Sequence, residues 1–86
     1  MSKAEKLLKR FLSMPKDFTF EELRALLGSL GYREVRRGHT AGSRVAFYRE
    51  ASGHIIKLHR PHPRPVLKEY QVEELITSLR NAGVIS

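Results

Sequence analysis

Residues 32–59 read YREVRRGHTAGSRVAFYREASGHIIKLH, and this stretch decides the fold. Tyr32–Arg37, Arg44–Arg49 and His54–His59 are short segments rich in β-branched or aromatic residues, separated by Gly38-His39-Thr40-Ala41-Gly42 and Ala51-Ser52-Gly53. Three strands in a meander are the simplest arrangement. If Val45 and Phe47 point inward with Ile56 and Leu58, the pleat places Arg44, Ala46, Tyr48, Ile55, Lys57 and His59 on the opposite face. That face is cationic and holds one aromatic ring.

Upstream, the apolar period changes from two to that of a helix. Thr19 can cap a helix while Glu22 reaches back to it, and Phe18 is placed to staple against Leu23. Leu23, Leu26, Leu27 and Leu30 continue as a buried stripe, and Gly31 can take the left-handed conformation that ends a helix. An earlier helix over about residues 3–13 follows from the Ser2-to-Glu5 capping spacing and the stripe Ala4, Leu7, Leu8, Phe11, Leu12; Met14-Pro15 breaks it. This helix is expected to pack back on Leu23 and Leu26. Downstream, Arg60-Pro61-His62-Pro63-Arg64-Pro65 favours an extended connection. A last helix begins near Glu69, with the stripe Val72, Leu75, Ile76, Leu79 and Gly83 to terminate it.

A chain of 86 residues has room for one modest core. It contains no cysteine, so neither disulfides nor thiolate zinc sites supplement that core, and the composition suits a reducing cytoplasm. No apolar run is long enough to span a bilayer, and the N-terminus lacks a signal-peptide pattern, so the expected protein is soluble and cytoplasmic with no membrane association. The net charge of +7 is localised. Between Arg33 and Lys68, nine basic residues face only Glu34 and Glu50, which accounts for the whole excess, and the remainder sums to zero. Clustered Lys and Arg raise the local potential and release counterions on binding a polyphosphate.

Several short motifs occur in order: Glu22-Leu23 and Leu26-Leu27 followed by Leu30-Gly31-Tyr32, then Gly42-Ser43 opening the second strand, then His62-Pro63 with Leu67-Lys68, then Ala82-Gly83. In these the chain resembles the HicA family, the toxin half of bacterial HicAB toxin–antitoxin pairs, over about residues 20–84. The resemblance implies an α+β fold similar to the double-stranded-RNA-binding domain: α-β-β-β-α, its three-stranded antiparallel sheet packed on helices, with residues 3–13 as an extra N-terminal helix in a single domain of 1–86. It also implies messenger RNA as the substrate, metal-independent cleavage without a cofactor, and a HicB-type antitoxin as partner. The chain departs from the family at one informative place. Where the family's second strand opens Gly-Ser-His, with that histidine implicated in RNA cleavage, this chain reads Gly42-Ser43-Arg44. Histidine exchanges protons near neutral pH, whereas arginine stays charged and stabilises negative charge.

Proton transfer would then fall to another histidine. His39 precedes Arg44 by five residues in the glycine-flanked loop, while His59 and His62 flank the proline-rich connection. His39 and His62, with Arg44, are the catalytic candidates; His62 aligns with a histidine common in the family, and its competing reading is positional. His54 sits by a turn and carries no functional signal. For RNA contact the candidates are Arg36, Arg37, Arg44, Lys57 and Arg60, with Tyr48 as a stacking platform. No metal site is expected, because few carboxylates lie near the histidines. Two other functions fit the same residues: a non-catalytic RNA-binding module, and a protein-interaction domain for an acidic partner.

Overall fold

The computed structural model describes residues 2–35 and 44–86. Its elements follow in the order α1 (Lys3–Leu12), α2 (Phe20–Ser29), β1 (Tyr32–Val35), β2 (Arg44–Arg49), β3 (His54–His59) and α3 (Glu69–Asn81). The architecture is α+β, with a three-stranded antiparallel sheet in the order β1-β2-β3. The expected extension of the first strand to Arg37 falls on residues outside those described.

Local chemistry explains the helix boundaries. Ser2 accepts a hydrogen bond from the Glu5 amide at 3.2 Å at the start of α1, and α1 stops where Met14 turns to φ +58° ahead of Pro15. At α2 the capping box is complete: the Glu22 amide donates to Thr19 Oγ1 at 3.1 Å, and the Thr19 amide donates to Glu22 Oε1 at 3.0 Å. Gly31 follows at φ +94°, a conformation that carries little cost without a Cβ. Arg49 reaches back from β2 to donate from Nε to the Leu30 carbonyl at 2.8 Å, a cation placed where the helix end is negative.

The core lies between the sheet and the helices. Val45, Phe47 and Ile56 supply its sheet side, and Phe11, Leu23, Leu26, Leu27, Val72, Leu75, Ile76 and Leu79 its helical side. Leu58, expected to be inward, is only half buried at the margin of this cluster. The first helix belongs to the same cluster: Phe11 is fully buried with its ring 4.9 Å from that of Phe18. Arg10 fastens α1 from outside, meeting Asp17 and Glu22 at 2.7 Å each. The connection between β3 and α3 is laced to the segment before α2, with the Phe20 amide donating to Pro65 at 2.9 Å and the Leu67 amide to Phe18 at 2.8 Å.

Candidate functional site

The outer face of the sheet is built in transverse rows, because antiparallel register sets side chains of three strands abreast. Arg33, Tyr48 and Ile55 form one row, Val35, Ala46 and Lys57 the next, and Arg44 and His59 a third. Successive rows are about 6.6–6.8 Å apart along the strands. Together these residues line a depression of about 640 Å³, bordered by Val45 and Leu58. Its lining combines apolar side chains with the cations Arg33, Arg44 and Lys57.

The register also explains why the face is so strongly positive. Glu34 points to the helical side of the sheet, where Arg24 Nε donates to it at 2.8 Å, so no carboxylate lines the depression among the described residues. On the outer face the Arg33 guanidinium lies 6.0 Å from the Tyr48 ring centroid. The ring is half-buried, and the guanidinium is at the outer limit of attraction to its face.

Of the residues singled out for RNA contact, the structure brings Arg44, Tyr48 and Lys57 together. Arg60 is directed elsewhere: its guanidinium sits over the Phe20 ring at 5.1 Å, on the helical side. His62 is exposed in the connection and does not line the depression. Arg36, Arg37 and His39 lie outside the described residues. Arg33 and Val35, by contrast, gain significance only from the register, which also sets His59 directly across from Arg44. The alternation along each strand was visible in the sequence, but which residues stand opposite one another was not.

His59 is exposed at the end of β3, its Cα directly across from that of Arg44. Its backbone carbonyl accepts a hydrogen bond from Gln71 Nε2 at 3.0 Å, while Gln71 Oε1 accepts from the Lys68 amide at 3.0 Å. One buried glutamine therefore ties the end of β3 to the start of α3.

His54 turns out to be structural cement. Its Nδ1 is 2.6 Å from the Tyr32 hydroxyl and its Nε2 is 3.2 Å from Ser78 Oγ, so one ring links β1, β3 and α3. Burial pushes the Tyr32 phenol above its ordinary pKa of 10.0, with the Arg49 guanidinium pulling the other way. A second groove, of about 690 Å³, runs between His54 and the exposed side of α3, past Tyr70, Glu73 and Glu74. Among the described residues no three His, Cys, Asp or Glu side chains are grouped to hold a metal ion, and no helix is long and apolar enough to cross a membrane.

Comparison with known families gives one result. A family model described as the HicA toxin of bacterial toxin–antitoxin systems matches residues 20–84, which run from the start of α2 to just beyond α3. No curated protein and no solved structure matches the chain.

Proposed function

Because this chain belongs to the HicA toxin family, we propose that it is a toxin that holds messenger RNA on the outer face of its sheet and cuts it, and that a HicB-type antitoxin neutralises it in the cytoplasm. The observation that carries this reading is the depression lined by the cations Arg33, Arg44 and Lys57 together with Tyr48, Val35, Ala46 and Ile55, and by no carboxylate among the described residues. Phosphates suit the cations. Unpaired bases suit the apolar lining, since a π face can stack on tyrosine and cover aliphatic groups. Arg36 and Arg37 supply further cations for the RNA backbone.

The reaction is attack of a ribose 2′-hydroxyl on the adjacent phosphate, without a metal ion or cofactor. Arg44 holds the phosphate and stabilises the charge that builds on its oxygens. A histidine handles the proton, with His39 and His62 the candidates that the sequence singles out. The alternative is a module that binds RNA without cutting it, which the arginine at position 44 favours.

Inducible expression in bacterial cells, followed by mapping of RNA ends, tests the toxin reading. Growth arrest with new internal RNA ends is the expected result. Normal growth and intact RNA, alongside salt-sensitive RNA binding by the purified protein, would leave the non-catalytic module. Absence of RNA binding at low salt would overturn both.

A further inference from the structure

We propose that His59 is the catalytic proton carrier of the outer-face site, working across the β2–β3 ladder from Arg44; this rests on the RNA-cleaving reading above. Two requirements define metal-independent cleavage of RNA. A base must take the proton of the 2′-hydroxyl, and a fixed positive charge must stabilise the phosphate as it becomes five-coordinate. Among the described residues, His59 and Arg44 form the histidine and permanent cation that stand opposite each other on the depression.

The spacing suits the task. Directly opposed residues on one face of an antiparallel pair have Cβ atoms about 4.5–5.5 Å apart, so an imidazole and a guanidinium can reach the 2′-oxygen and the neighbouring phosphate of one nucleotide. Both side chains are exposed, so substrate reaches them from solvent. Gln71 holds His59 through its backbone carbonyl, an anchor that does not engage the ring. His54, in contrast, has both ring nitrogens engaged. Among the described residues, the charged groups facing His59 are Arg44 from β2 and Lys57 two residues back on β3; Gln71 from α3 is neutral.

The step balances as an internal transesterification. His59 accepts the proton from the 2′-hydroxyl, and the 2′-oxygen bonds to phosphorus. The bond from phosphorus to the 5′-oxygen breaks with its electron pair, and that oxygen takes a proton from water. The products are a 2′,3′-cyclic phosphate and a free 5′-hydroxyl, and His59 returns its proton to solvent. No oxidant, reductant or metal ion enters.

The test uses the purified full chain and a labelled, unstructured oligoribonucleotide of mixed sequence. Wild type should produce 2′,3′-cyclic phosphate ends. His59→Ala should keep salt-sensitive binding of the oligoribonucleotide but, at saturating protein, cut roughly 10²-fold or more slowly, the range for loss of a positioned general base. The pH profile of the rate should change shape in the variant, as loss of the group that takes the proton requires, and added imidazole should restore part of the rate. A thermal melt matching wild type checks the fold, and His59→Gln provides a second variant without an acid–base function. Cutting at the wild-type rate by both variants would overturn the assignment while leaving the toxin reading intact. Salt-sensitive binding with no cutting by wild type would overturn it in favour of the non-catalytic module, and no binding at all would remove the RNA reading itself.

Discussion

Arg44 and Tyr32 show how single residues divide the labour between site and scaffold. Arg44 is exposed at the start of β2, so its truncation should leave stability nearly unchanged. Arg44→Ala should instead weaken RNA binding and slow cutting by about 10²–10³, comparable to loss of one donor to a developing oxyanion; binding titration and end-labelled cleavage assays measure the two effects separately. Tyr32 works the other way. Its hydroxyl belongs to the His54 and Ser78 linkage, and burial favours its protonated form. The unfolded chain loses this proton first, so the contribution is complete below about pH 10 and declines as pH rises through the raised folded value. Tyr32→Phe should lower stability by about 1 kcal/mol at neutral pH, and its stability should fall less steeply above about pH 10. Thermal melts across the alkaline range check this, and parallel curves for wild type and variant would show that Tyr32 does not control the decline.

At the scale of elements, α1 is joined to the core although the family match begins only after it, at Phe20. Phe11 is fully buried against Phe18. Phe11→Ala removes a ring from a packed site and should cost about 3–5 kcal/mol, a large part of the roughly 5–15 kcal/mol that holds a domain together. Deleting residues 1–14 should lower the Tm at least as much. An unchanged Tm for either variant would mean that α1 is not part of the folding unit. The partner of β3 is equally specific. Gln71 closes the junction between β3 and α3, so Gln71→Ala leaves the His59 carbonyl and the Lys68 amide to find water. A loss of about 1–3 kcal/mol is expected, measurable by denaturant unfolding.

For the molecule as a whole, charge sets behaviour. The excess of +7 is not spread over every basic side chain, since Arg49 serves the end of α2, Arg24 is paired with Glu21 and Glu34, and Arg60 covers Phe20. Arg33, Arg44 and Lys57 instead line the depression on the outer face. RNA affinity should therefore fall steeply with salt, and removing one phosphate-binding cation should make the slope of log K against log salt shallower by about 0.7 for a single strand. Arg44→Ala with Lys57→Ala should change it by roughly twice that. An identical slope in the double variant would place the RNA elsewhere. Removing Arg36 and Arg37 together should weaken all RNA sequences about equally, because phosphate contacts position without specifying; comparison of unrelated oligoribonucleotides tests it.

The order of elements, the capping box of Thr19 and Glu22, the left-handed Gly31 and the two faces of β2 were all legible in the sequence, because each depends on neighbours within a few residues. Periodicity of two or of about 3.6 is a local property, and it marks which side of an element meets the core. The chain also showed by itself that its charge is concentrated around the sheet, and its ordered motifs pointed to the family. Only the tertiary structure decided which residues of different strands stand together. Register placed His59 opposite Arg44 and Arg33 beside Tyr48, although these residues are 15 positions apart in each pair. The fold likewise turned Arg60 towards Phe20 and made His54 the link between Tyr32 and Ser78. The physical reason is that a one-residue change in pairing would exchange the faces of a strand, and the pairing is selected by the shared core rather than by any short stretch of sequence.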